Sequence, residues 1–147
     1  KMRMIETKRF SLVKPTKDTP FHIDFNWWKQ HDSNWHVYLH GMLCEEHQAA
    51  YADMDAQTAI DWVDPETAEV TTVDGLQHIL ISHCARQPEF KNAYTTLVDA
   101  VFRTLLANGN QPMTPNELSE EIDRPAETIL RTIATPQVYK ELRPVQR

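Results

Sequence analysis

Residues 114 to 133 constrain the fold most, because this stretch contains two helix starts separated by a short turn. Thr114-Pro115 supplies a helix cap and a first-turn proline, and Leu118 and Ile122 lie four positions apart, on one face of a helix. Asp123-Arg124-Pro125 ends that helix and starts another, in which apolar residues again recur at helical spacing. The pattern predicts two short helices at a tight turn, as in a helix-turn-helix.

The segments on either side extend this pattern. Thr96 to Leu106 predicts a further helix that ends at Asn108-Gly109-Asn110, and Val138 to Val145 alternates as a strand or small wing would. In this order the pieces resemble the winged-helix family. The resemblance implies a winged-helix domain over residues 94 to 147, and it indicates a scaffold more than a ligand.

A first functional hypothesis follows from that resemblance: a nucleic-acid-binding protein, either a regulator or a subunit of a nucleic-acid complex. The helix from Pro125 to Ala134 would then enter a groove of DNA or RNA. The candidate contacts on and before this helix are Arg124, Thr128, Arg131 and Thr132. On the wing, Lys140 and Arg143 would contact phosphates.

The charge distribution keeps a second hypothesis open. The net charge of −6 argues against a nucleic acid wrapped over the whole surface, since such binding depends on phosphate neutralisation. Residues 1 to 20 carry six basic and two acidic groups and predict a basic extended arm, whereas residues 94 to 147 are near neutral. Glu117, Glu120 and Glu121 also make the first helix of the motif acidic. A protein-interaction adaptor that uses the winged helix as a docking domain is therefore the alternative.

Aromatic residues are dense at the start of the N-terminal part, from Phe21 to Trp28 and again at Trp35 and Tyr38. Such a cluster buries a large area, so it predicts a core. The alternative is a platform on which the bases of a single strand stack. Residues 21 to 90 are predicted as one aromatic-rich region of helices and a β-hairpin, with the boundary to the winged helix between Arg86 and Ala93.

Secondary structure within this region is indicated by caps and turns. Asp32-Ser33 predicts the cap of a helix that runs from Trp35 through His47 toward Met54, unless Gly41 breaks it. Ala59 to Val63 and Glu69 to Val73 flank a turn sequence and predict a hairpin. Asp74-Gly75 then starts another helix. The whole chain is therefore expected to be α+β: a mostly helical N-terminal part with one hairpin, followed by the winged helix.

Cysteine and histidine residues gather in two groups that suit a zinc site. Cys44 and His47 have the spacing of a zinc half-site, and Cys84 with His83 would complete it from a second segment. His40 is the alternative fourth ligand. Adjacent residues seldom both bind one ion from a regular helix, so His83 requires an irregular helix end. The prediction is a structural zinc clamp formed by Cys44, His47, His83 and Cys84.

These residues also allow two interpretations other than structural zinc. Free cysteine is often a small buried hydrophobe, and seven histidines allow chance proximity. A catalytic metal would need a base such as Glu45 or Glu46 and an open position, but no His-Glu-x-x-His pattern is present. With no recognised catalytic motif, the chain is not predicted to be an enzyme.

The sequence also bears on location. No apolar run of membrane-spanning length and no secretory signal pattern occurs, so the expectation is a cytoplasmic protein with no membrane partner. The pattern of the whole chain, particularly from Asp61 to Val70, also resembles a family of small uncharacterised bacterial proteins, a resemblance that implies no functional site.

Overall fold

The computed structural model describes residues 14–50, 59–63, 65–134 and 141–145, with the backbone alone for residues 59–62 and 71–73. These residues form an α+β fold, as predicted. The helices are α1 (Phe25–His31), α2 (Trp35–Met42), α3 (Glu45–Ala50), α4 (Gly75–Ser82), α5 (Leu97–Ala107), α6 (Pro115–Ile122) and α7 (Ala126–Ile133). The strands are β1 (Phe21–Ile23), β2 (Ala59–Val63), β3 (Val70–Asp74) and β4 (Leu142–Pro144). Two 3₁₀ turns, Cys84–Arg86 and Phe90–Asn92, connect α4 to α5.

The helices α5, α6 and α7 begin and end where the sequence predicts. The Thr114 side chain accepts a hydrogen bond from the Glu117 amide, and the Glu117 carboxylate accepts one from the Thr114 amide, so a capping box opens α6. Asp123 ends that helix in the left-handed conformation at φ 63°. The three helices pack on one another, burying Leu118, Ile129 and Leu105.

The strand β4 pairs with β1 across almost the whole chain. Phe21 lies opposite Pro144 and Ile23 opposite Leu142, in antiparallel register. The Phe21 backbone also exchanges both hydrogen bonds with Met113, in the loop between α5 and α6. Of the predicted strand from Val138 to Val145, residues 138–140 lie outside the described part, and the strand itself covers Leu142–Pro144. Its partner comes from the N-terminal part, which sequence patterning did not indicate.

A single hydrophobic core joins the aromatic N-terminal segment to the C-terminal helices. Trp28 is 2% exposed and packs edge-on against Phe102 of α5, with ring centroids 5.3 Å apart. Phe21, Ile23 and Phe25 lie in the same core. The aromatic cluster is therefore core, as expected, and this core continues across the boundary predicted between Arg86 and Ala93.

The helix predicted from Trp35 toward Met54 is interrupted. It ends at Met42, and α3 begins at Glu45, so the break falls after Leu43 rather than at Gly41. The predicted cap at Asp32-Ser33 is also wrong: Asp32 ends α1, and Asn34 precedes α2 without a side-chain cap. The break is important for the site described below, because it frees Cys44 from a regular helix.

The helices α2 and α4 are joined by a buried polar contact. His36 Nε2 lies 2.6 Å from Asp74 Oδ2, and both side chains are almost fully buried. Asp74 Oδ1 accepts from the Gln77 amide, so the same carboxylate caps α4. The predicted hairpin precedes this cap, with β2 and β3 paired from Ala59 opposite Asp74 to Val63 opposite Val70. The segments that lead to Cys44 and to Cys84 are thus held together.

Most of the predicted basic arm, residues 1 to 13, lies outside the described residues. Its described end is folded into a turn, in which the Thr19 amide donates to the Thr16 carbonyl. This turn contacts the start of α6, because Asn116 donates from its backbone to Lys17 and from its side chain to Asp18. The described end of the arm is therefore attached to the start of α6.

Candidate metal centre

The first half of the candidate site lies at the junction of α2 and α3. Leu43 is extended at φ −63° and ψ 151°, which turns the chain out of α2. The Cys44 carbonyl accepts from the Gln48 amide, so Cys44 immediately precedes the first turn of α3. His47 follows within that turn. The spacing of the two residues therefore places both side chains on the same side of one helical turn.

The second half of the site is formed where α4 ends. His83 ends the helix at φ −129° and ψ −63°, a non-helical conformation, and Cys84 begins the following 3₁₀ turn. This is the irregular helix end that two adjacent ligands would require. Cys84 is 1% exposed, whereas His83 is at the surface.

Three donor atoms from the two halves lie in mutual contact. Cys44 Sγ lies 3.1 Å from His47 Nδ1, Cys84 Sγ lies 3.4 Å from Cys44 Sγ, and Cys84 Sγ lies 3.5 Å from His47 Nδ1. In a tetrahedral zinc site, bond lengths of about 2.3 Å to sulfur and about 2.0 Å to nitrogen separate neighbouring donors by about 3.5–3.8 Å. The observed triangle is close to one face of such a tetrahedron. A disulfide would need about 2.05 Å, so the two cysteines are free thiols.

His83 approaches the same centre. The ligand atoms of Cys44, His47 and His83 lie within 4.8 Å of one another, and the two imidazole rings are 4.5 Å apart between centroids. Among the described residues this group includes His83 and not the alternative, His40. The His40 Nε2 atom is buried and has no hydrogen-bond partner in the described part of the chain. The structure thus groups His83 with Cys44 and His47, and it places Cys84 in contact with the same two residues, although Cys84 is not part of the three-residue group.

The chemistry of the donors favours a borderline metal such as zinc, since thiolate and imidazole suit it better than they suit magnesium or calcium. Burial raises the pKa of the Cys84 thiol from 9.0 to about 11. Without a metal this thiol is therefore protonated at neutral pH. A bound cation would have to displace that proton, because thiolate is the ligand form of cysteine.

Gln87 is a neighbour of the site that sequence analysis did not identify. Its side-chain nitrogen lies 3.3 Å from His83 Nε2, one helical turn beyond the histidine. The oxygen and nitrogen of an amide exchange places by rotation, so Gln87 can also accept a hydrogen bond from an Nε2 proton. That contact leaves Nδ1 of His83 available for a metal. The four-residue spacing was the available signal, although glutamine at that spacing is common.

A surface cavity adjoins the cysteine side of the cluster. Its volume is about 480 Å³, and Cys44 and Cys84 contribute to its wall. Phe90, Arg103 and the exposed Glu45, Glu46 and Glu89 are among its other lining residues. Cys44 is half-buried and Cys84 is 1% exposed, so access to the sulfur atoms from this cavity is through Cys44.

Four of the residues predicted to contact nucleic acid lie in the turn before α7 and on α7. Arg124 is exposed in the turn before α7, and Arg131 is exposed on α7. Thr128 and Thr132 are half-buried on the same helix, where the Thr132 hydroxyl donates to the Thr128 carbonyl.

The other two residues predicted to contact nucleic acid are Lys140 and Arg143. Arg143 lies over the ring of Trp27, 5.3 Å from its centroid, and 3.6 Å from an Asp24 oxygen. Its charge is therefore partly neutralised within the protein. Lys140 lies outside the described residues.

Comparisons of the chain with protein-family models, curated proteins and solved structures give no match. The interpretation of the site consequently depends on its own geometry. Within the described residues, no helix has both the length and the apolar composition needed to cross a membrane.

Proposed function

We propose that the protein binds one structural zinc ion through Cys44, His47, His83 and Cys84. The observation that carries the proposal is the triangle of Cys44 Sγ, Cys84 Sγ and His47 Nδ1, with sides of 3.1 to 3.5 Å. Two sulfur and two nitrogen donors form a common structural zinc set. Four protein ligands leave no open position for substrate, so a structural role is favoured over a catalytic one.

The ion would act as a clamp between two segments. It would join the start of α3 to the end of α4, which are otherwise connected through the hairpin and the buried contact of His36 with Asp74. Because such a site exists only in the folded chain, the free energy of metal binding adds to the free energy of folding. The clamp should therefore stabilise the N-terminal part.

The test is metal analysis of protein prepared without chelators, combined with thermal unfolding. The wild type should carry one zinc per chain, and Cys84→Ser and His47→Ala should lose it. His78→Ala is the matched control, because His78 is half-buried like His47, lies on α4 and is not one of the four proposed ligands. Reduced wild-type protein that takes up no zinc from a buffered zinc solution would overturn the proposal.

We also propose that α6 and α7 act as a helix-turn-helix that binds nucleic acid, in keeping with the winged-helix resemblance. The supporting observation concerns the acidic residues of α6. Glu117 is engaged in the capping box, and Glu121 pairs with Lys91 at 2.7 Å. Two of the three glutamates that would attract a basic protein therefore already interact with groups inside this chain.

Binding to duplex DNA, measured by fluorescence anisotropy at several salt concentrations, tests this second proposal. Arg131→Ala should weaken binding by about 1–3 kcal/mol if the arginine contacts a base edge. Arg86→Ala is the control, since Arg86 is an exposed arginine on the 3₁₀ turn after α4. Equal affinity of the wild type and both variants would reject the proposal.

The same experiment addresses the adaptor alternative. Glu120→Lys changes the charge of α6 without removing the capping box or the ion pair of Glu121. A gain in DNA affinity for this variant would agree with a nucleic-acid role. Loss of a basic protein partner, with DNA binding absent throughout, would instead favour a docking domain.

A further inference from the structure

We infer that Cys44 and Cys84 form a redox switch that couples release of the metal to formation of a disulfide. The inference depends on the zinc site proposed above and adds its regulation. It is carried by the contact between the two sulfur atoms and by the cavity that reaches them. The sulfur contact is also one side of the triangle that supports the zinc site, whereas the cavity is an independent observation.

The sulfur atoms of Cys44 and Cys84 are in contact. They come from segments forty residues apart and lie 3.4 Å from each other. A disulfide bond requires about 2.05 Å, so the two atoms need to approach by about 1.4 Å. Cys44 lies between two helices and Cys84 begins a 3₁₀ turn, so neither residue is inside a regular α-helix. Small rotations of the two side chains can therefore supply much of that approach.

The cavity beside the cluster gives small molecules access to the cysteine side of the site. Both cysteines line the cavity of about 480 Å³, whereas neither His47 nor His83 lines it. A small oxidant in the cavity can therefore meet the half-buried Cys44 without displacing the histidines, whereas Cys84 is 1% exposed. The exposed glutamates that line the cavity, Glu45, Glu46 and Glu89, disfavour anionic oxidants, so uncharged hydrogen peroxide is the fitting class.

The chemistry balances with hydrogen peroxide as the oxidant. The Cys44 thiolate, which is the more exposed, attacks one peroxide oxygen, and the O–O bond breaks to give a sulfenic acid and hydroxide. The Cys84 thiolate then attacks the Cys44 sulfur and displaces a second hydroxide. The two sulfur atoms together lose two electrons, and the peroxide gains them. Zinc loses two of its four ligands and leaves.

The consequence is an exchange of one cross-link for another. The ion connects the start of α3 to the end of α4 in the reduced protein, and the disulfide connects the same two points in the oxidised protein. The fold therefore keeps its clamp while the metal is lost. A dithiol or phosphine reductant would restore the thiols and with them the capacity to bind zinc.

The experiment uses the full chain, first reduced and loaded with zinc. Zinc uptake by this reduced form is measured before any oxidant is added, so that a failure of the metal site is identified separately. Hydrogen peroxide is then added, and zinc release is followed with a chromogenic chelator. Peptide mapping without reduction locates any disulfide.

The expected result is release of one zinc per chain together with a Cys44–Cys84 disulfide, both reversed by a phosphine reductant. Reversal distinguishes this reaction from methionine oxidation, which a phosphine does not undo under these conditions. Cys44→Ser should form no internal disulfide. Protein that binds zinc but keeps it in peroxide, or loses it with sulfinic acids in place of the disulfide, would overturn the inference and leave the zinc site standing.

Discussion

The helix-turn-helix segment and the metal centre obtain their geometry in different ways. In α6 and α7 the determining contacts are local: Thr114 and Glu117 cap each other, and Asp123 turns the chain four residues after Ser119. At the metal centre, Cys44 and Cys84 meet only because a hairpin and a buried contact between α2 and α4 bring distant segments together. Local geometry should therefore persist when one contact is lost, whereas the candidate metal centre should depend on these distant contacts and on the zinc ion that we propose.

The largest expected effect is on the free energy of unfolding when the metal is removed, because only one of the two regions should depend on it. Removal of zinc from the wild type should lower the free energy of unfolding by about 4 kcal/mol when free zinc had been held at about a thousand times its dissociation constant. Cys84→Ser should show no such dependence. Chemical denaturation with and without chelator measures both values. A chelator effect of equal size in Cys84→Ser would show that the stabilising ion is bound elsewhere.

The next effect falls in the helix-turn-helix segment. Leu118 is fully buried between the helices, so Leu118→Ala should lower the free energy of unfolding by about 3 kcal/mol through lost burial and a cavity. The loss should be the same with and without zinc, because the two regions do not share this contact. Denaturation of the variant under both conditions provides the check. A loss that grows after zinc removal would indicate that the regions are coupled.

A smaller effect tests the local contacts of α6. Thr114→Ala removes the side-chain acceptor of the capping box and should cost about 1 kcal/mol. Thr114→Ser keeps an acceptor and should retain most of that stability. The comparison can be made by thermal unfolding. Equal stability of the alanine and serine variants would mean that Pro115 and packing alone start the helix.

The smallest effect lies beside β4, which pairs with β1. Burial raises the pKa of the Glu141 carboxyl group above its value of 4.5 in an unfolded chain. The folded state therefore holds this proton more tightly, so the contribution of Glu141 to stability is greatest in acid and is lost as pH rises through the folded pKa. Glu141→Gln should be more stable than the wild type at neutral pH. The difference should disappear below the unfolded pKa, as thermal unfolding across pH would reveal.

The same contrast explains how much the sequence predicted. The helices α5, α6 and α7, the hairpin and the start of α4 were confirmed, because caps, turn residues and apolar spacing act within a few positions. The four candidate ligands were named from spacing and donor type. In the structure Cys44, His47 and His83 form one group of possible ligands, and Cys84 contacts Cys44. Zinc as the ion and nucleic acid as the ligand remain predictions.

The missed features are those that depend on distant partners. The strand β1 was not predicted, because three residues carry too little periodicity and their partner lies at Leu142–Pro144. The interruption at Leu43 was not predicted: the helix was expected to run on toward Met54 unless Gly41 broke it, since glycine is the usual signal for a break. The use of Arg143 against Trp27 was also missed, because the strand pairing that places it was unknown.

The pairing of β1 with β4 has a consequence for how the protein is made. During synthesis Phe21 leaves the ribosome more than a hundred residues before its partner Pro144. The strand β1 therefore cannot pair with β4 until that later part of the chain has been made. Met113 emerges earlier and bonds to the same residue, which gives the waiting strand a first anchor. Contacts between residues this far apart in sequence also slow refolding. During synthesis β1 thus lacks its strand partner until residue 144 has emerged, and in that interval its unpaired backbone can pair with other chains.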